Sequence, residues 1–124
     1  PATRGRFWVQ SYANSSASSL VSLDISDPAN PVVLDELTLD ETWWPHWISI
    51  EPEGDRIVVT SGPGTTLYRV LLVHLDPETG ELELDTSFRD PGSDEPGVSF
   101  DRQLWPHGEA GPARPHGAVF SRPD

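Results

Sequence analysis

The sequence has no cysteine, no methionine and no lysine. Without cysteine there are no disulfides, no thiolate metal sites and no cysteine nucleophile. Without lysine the cationic charge rests on eight arginines, set against twenty carboxylates, for a net charge of −12. A surface this negative repels phosphate, so nucleic acid is not an expected partner, and docking on anionic lipid is disfavoured. The acidity reads as a device for solubility. No apolar run approaches the ~20 residues of a membrane-spanning helix. There is no glycine-rich phosphate loop, no Gly-x-Ser-x-Gly nucleophile context and no Asp-x-Asp-x-Asp-Gly calcium loop. Asp90, Asp94 and Glu95, with Gly92 and Gly97, read as turn chemistry. No secretory signal is visible, and a chain that starts at Pro1 with no Met is expected to be a processed product or a fragment.

Helical signals are also nearly absent. Thirteen prolines and ten glycines punctuate 124 residues, and between them lie short runs of Val, Ile, Leu, Thr and aromatics. That pattern predicts many short strands joined by tight turns. The strands are expected at residues 6–12, 20–25, 32–39, 47–51, 56–61, 68–75, 81–88 and 116–121, with a polar loop over 14–19 and a long Pro/Gly-rich loop over 89–114. The runs also repeat. Arg6-Phe7-Trp8-Val9-Gln10 matches Arg56-Ile57-Val58-Val59-Thr60 at an offset of fifty. Leu23-Asp24 matches Leu75-Asp76 at fifty-two, and Pro45-His46 matches Pro115-His116 at seventy. A period near fifty with four strands per unit is that of β-propeller blades. The fold expected is therefore all-β and a single module over 1–124, a partial propeller of about two four-stranded blades. Blade A would take its strands from 6–39, blade B would span 46–88, and the C-terminal strand 116–121 would complete blade A by pairing beside residues 6–12.

The segment from Pro45 to Thr60, PHWISIEPEGDRIVVT, resembles the opening of the YVTN-type propeller repeat, and Pro115–Asp124, PHGAVFSRPD, resembles the same opening. Residues 20–31, LVSLDISDPANP, resemble the LVIVD repeat. The order of segments from Pro45 to Pro106 is similar to the C-terminal part of selenium-binding protein/methanethiol oxidase propellers, through Leu71–Asp76, Gly80–Leu84, Asp90–Gly97 and Leu104-Trp105-Pro106. It departs from that family in lacking its cysteine-containing segments. The repeat resemblance implies a fold and leaves the activity open, because propellers host unrelated functions. It also implies an extracytoplasmic location, periplasmic or secreted.

Three of the four histidines follow proline: His46, His107 and His116. In a propeller the start of the innermost strand lies near the central channel, where imidazoles from several blades can hold a transition metal. The methanethiol oxidase resemblance implies copper. The alternative is that Pro-His is repeat architecture, with each ring bonded to neighbouring backbone. Trp43, Trp44, Trp47 and Trp105 surround those histidines in sequence. Adjacent strand residues point to opposite faces, so Trp43 and Trp44 cannot both enter one core, and one of them is expected to face a partner. Trp47 is expected to pack between blades. Leu104 and Trp105 are expected to anchor the long loop on the propeller or on a partner. Two readings of function follow. One is a non-catalytic module for protein–protein interaction or self-association, acting as an accessory subunit of a larger assembly. The other is part of a copper-dependent oxidoreductase of the methanethiol oxidase type.

Overall fold

The computed structural model describes residues 1–14, 17–40, 43–62 and 68–121. Among them there is no helix, and all sheet pairing is antiparallel apart from one isolated bridge. The first sheet is a four-stranded meander of β1 (Ala2–Arg4), β2 (Phe7–Asn14), β3 (Ala17–Asp24) and β4 (Val32–Thr38). The second takes β5 (Pro45–Ile50), β6 (Arg56–Ser61), β7 (Arg69–Leu75) and β8 (Leu82–Leu84) in the same order, and β9 (Val98–Ser99) adds to β7. A small hairpin joins β10 (Leu104–Trp105) to β11 (Gly108–Glu109). Neither large sheet closes into a barrel.

The two sheets stack like successive slices. β1 and β2 lie against β5, and β4 lies against β8. Phe7, at the start of β2, sits beside Gly80 in the turn after β7, and Arg56, at the start of β6, pairs with His74 near that same turn. So β2 and β6 run the same way, and the second sheet is the first displaced rather than turned over.

Register then assigns every side chain to a face, since paired residues share one. Toward the second sheet the first presents Phe7, Val9, Leu20 and Ser22, all buried. Toward the first sheet the second presents Ile48, Ile57, Val59, Leu71 and Val73. These apolar layers form one core with Leu39, Trp43, Leu75 and Leu82. Polar ties stitch the layers together. The Ser22 hydroxyl donates to the Gly80 carbonyl at 2.5 Å, and the Asp35 carboxylate accepts the Leu82 N–H at 2.8 Å. A β-bulge where Ser22/Leu23 meet β4 turns both Leu34 and Asp35 toward the second sheet, one to pack and one to bond.

Four expectations change. The strand expected over 81–88 is short, Leu82–Leu84, because the Asp85 carboxylate accepts the Ser87 and Phe88 N–H groups in a turn. Residues 116–121 form no strand and do not complete the first sheet. Its edge beside β2 is taken by Ala2–Arg4 through the two-residue turn Gly5-Arg6, in which Gly5 has φ +55°. Closing a two-residue turn costs far less chain entropy than returning a strand from a hundred residues away. Of the loop expected over 14–19, Asn14 and residues 17–19 are instead strand, since β2 and β3 remain paired out to Asn14↔Ala17. The long loop carries β9, β10 and β11. Arg122-Pro123-Asp124, the end of the segment that resembles the YVTN opening, lie outside the described residues.

Candidate functional site

The C-terminal segment lies across the far face of the second sheet. The Thr60 hydroxyl donates to the His116 carbonyl at 2.8 Å, and Trp47 Nε1 donates to the Ala118 carbonyl at 3.1 Å. The Arg56 guanidinium sits over the Phe120 ring at 5.4 Å. A second bulge explains why two neighbours reach the same segment. The register shifts between Pro45 and Trp47, so His46 and Trp47 both turn to residues 116–118 instead of alternating.

That bulge brings two of the three candidate ligands together. His46 Nε2 and His116 Nε2 stand 3.3 Å apart, with the rings edge to face at 5.0 Å. His107 is not part of this arrangement; it stacks on Trp105 in the β10–β11 hairpin, centroids 6.3 Å apart. Among the described residues no group of three or more His, Cys, Asp or Glu side chains is placed to hold a metal ion. The pair alone fits one geometric test. Two imidazole nitrogens each ~2.0–2.1 Å from a tetrahedral ion stand roughly 3.3–3.4 Å apart. One shared proton between the rings satisfies the same distance.

The aromatic group divides. Trp43 is 6 % exposed and belongs to the core, and the Ser18 hydroxyl donates to its carbonyl, so packing is its role. Trp44 is 46 % exposed and is the one of the two that faces outward. Trp47, expected to pack between sheets, is 43 % exposed and lies beneath residues 117–118. Trp105 anchors the long loop chiefly to itself. Its Nε1 donates to the Gly111 carbonyl at 2.8 Å, Phe100 stands 5.5 Å away, and Arg102 covers its ring at 4.9 Å. Leu104 is 69 % exposed.

Two features had no place in the sequence reading. The first is His74, held between two carboxylates, with Nε2 3.1 Å from Asp85 and Nδ1 3.4 Å from Asp55. The Asp85 hydrogen bond, helped by Asp55, raises the His74 pKa against the opposing cost of desolvation. Asp85 accepts from the Ser87 hydroxyl and from His74, and its pKa falls to about 2. The second is the outer face of the first sheet, where Trp8, Leu23 and Val33 form one cross-strand row beside Val21 and Tyr12. Trp8 is 36 % exposed and Val33 62 %. The signal for it was in the sequence: Trp8, Gln10 and Tyr12 alternate with Phe7, Val9 and Ser11. A cavity of about 330 Å³ between β4, β7 and β8 is lined by Leu39, Trp43, Leu71 and Leu84 with Arg69 and Glu95, and these two pair with each other at 2.5 Å.

The chain matches no family model, no curated protein and no solved structure.

Proposed function

We propose that this chain is a non-catalytic β-propeller module of two blades whose work is to bind a protein partner. The observation that supports it most is the outer face of the first sheet, where Trp8 (36 % exposed), Leu23 and Val33 (62 % exposed) stand in one row. Contiguous apolar surface of this kind marks interaction sites, and Trp and Tyr are enriched in them. The blade reading is supported by the stacking of two like meanders in the same order and direction. An apolar dye tests it: the intact chain should bind 8-anilinonaphthalene-sulfonate, and Trp8→Glu with Leu23→Glu should lose that binding while keeping the fold. A chain that binds no dye overturns the reading.

A second reading is favoured by the His46–His116 separation. In it the chain is part of a copper-dependent oxidoreductase like the methanethiol oxidases, with the two Nε2 atoms holding the metal. When bound, copper would supply the redox chemistry; the chain's own share is the fixed 3.3 Å spacing of two donors. Calorimetric titration with Cu²⁺ decides it. One equivalent bound by the intact chain and lost in both His46→Ala and His116→Ala supports the metal, and binding that survives either change removes this reading.

A further inference from the structure

The C-terminal segment lies on the second sheet without joining it. Residues 114–121 are in no strand. They are held from beneath by Thr60, whose hydroxyl donates to the His116 carbonyl, and by Trp47, whose Nε1 donates to the Ala118 carbonyl. The Arg56 guanidinium packs on the Phe120 ring. Side-chain bonds and surface cation–π contacts of this kind are each weak. A segment held only by them opens and closes apart from the global transition.

The remaining contact is of another kind. His46 stands on the sheet and His116 on the segment, 70 residues apart in sequence, and their Nε2 atoms meet at 3.3 Å. Both residues are exposed, so an ion reaches them from solvent. The rings are edge to face with centroids 5.0 Å apart. Two imidazoles that share one tetrahedral ion through Nε2 have centroids about 5.2 Å apart, whereas rings meeting head-on across a straight hydrogen bond of this length stand about 5.6 Å apart. The observed separation is nearer the first. Imidazole nitrogen favours Zn²⁺, Cu²⁺ or Ni²⁺ over the calcium and magnesium that carboxylates take. A net charge of −12 draws such cations to the surface. The two donors also exist as a pair in one state only. When the segment is down they stand at the spacing of one ion; when it lifts, His116 leaves with it and His46 remains a single donor.

We propose that a divalent transition-metal ion held by His46 and His116 is a clasp that fastens the C-terminal segment over the second sheet. The proposal rests on the donor pair of the copper reading, but it asks only that the ion bind, so a redox-silent ion serves as well. An ion that needs both rings binds the closed segment alone, and by linkage it lowers the open fraction by the factor 1 + [ion]/Kd. No third side chain is placed to join the pair among the described residues, which suits the site to reversible fastening.

Chymotrypsin digestion with and without Zn²⁺ tests this, with cleavage after Phe120 read by mass spectrometry. Phe120 is packed against Arg56 when the segment is down, so cleavage there reports the open fraction. Titration calorimetry supplies the Zn²⁺ dissociation constant. At free Zn²⁺ about one hundred times that constant, cleavage of the intact chain should slow about 100-fold. His46→Ala and His116→Ala should each be cleaved at a rate that Zn²⁺ leaves unchanged, which also controls for any effect of the ion on the protease. Both residues are exposed, so neither change endangers the fold. Zn²⁺ bound through both histidines with cleavage slowed less than about twofold overturns the clasp and leaves the donor pair. Slowing that survives either variant overturns the clasp as well. A chain that binds neither Zn²⁺ nor Cu²⁺ removes the clasp and the copper reading together.

Discussion

Replacing Gly80 by alanine tests whether the two sheets stack as described. Gly80 lies in the turn between β7 and β8 with φ +81°, a region where side chains are strained. A Cβ built there stands 2.5 Å from Leu34 Cδ1 and 2.9 Å from Phe7 Cε1, both on the first sheet. Gly92 has nearly the same φ, +79°, with nothing within 4 Å of its Cβ. Gly92→Ala therefore reports the backbone cost alone, about 1–2 kcal/mol. Gly80→Ala adds the wedge between the sheets, about 1–3 kcal/mol more for overpacking. Leu34 is only partly buried and can yield, whereas the buried Phe7 ring cannot, so a total near ~3 kcal/mol is the central expectation. Urea unfolding of both variants measures the difference from their midpoints, provided the slope is unchanged. Equal losses for the two would show that the Gly80 turn does not abut Phe7 and Leu34, and the stacking would have to be abandoned.

Trp43→Ala should cost about 3–5 kcal/mol by urea unfolding, because it empties a core position, whereas Trp44→Ala should cost under about 1 kcal/mol. His74 has a raised pKa, so its stabilisation is present below about pH 6.5 and is lost as pH rises through the folded value. His74→Ala should flatten that decline in a melting-temperature series. Asp85, held at about 2, has the opposite sign: its contribution is present above ~3.9 and is lost as pH falls toward 2, a loss that Asp85→Asn should remove. Trp105→Ala should raise amide exchange across residues 98–113 and leave the β2, β3, β6 and β7 amides protected, since its partners Phe100, Arg102 and Gly111 are all local.

The all-β class and most of the strands were legible because they depend on local pattern. Phe7 to Tyr12, Arg56 to Ser61 and Val70 to Leu75 alternate or run apolar between turn residues, and each is a strand. What failed was parity. Aligning Arg6–Gln10 with Arg56–Thr60 at fifty puts Phe7 opposite Ile57 as equivalents. In the stack Phe7 faces the second sheet while Ile57 faces the first, so the two point in opposite directions along it. The Leu23/Leu75 match at fifty-two keeps its parity, since Leu75 faces the first sheet and Leu23 the open side. A one-residue slip exchanges the faces of a strand, and composition does not register it. The same blindness hid the Trp8 row. It also hid the His46 bulge, which depends on where Pro45 and Trp47 meet β6. His46, His107 and His116 were grouped by their shared Pro-His and an expected place near a central channel, whereas His46 and His116 meet through the β5 bulge and the C-terminal segment that crosses the second sheet, and His107 lies elsewhere.

The cover on the second sheet is of a different kind from the sheet it replaces. β7 and β8 are joined by a ladder and buried beneath the first sheet's apolar layer, whereas residues 114–121 lie in no strand. They are held by side-chain bonds from Thr60 and Trp47, by the His46–His116 contact and by Arg56 over Phe120. Few of those interactions are buried, and exposed bonds contribute little. Segments with few buried apolar contacts open long before the global transition. Opening here uncovers Val58, Thr60 and Val70, on a face that corresponds in the stack to the one the first sheet turns to the second.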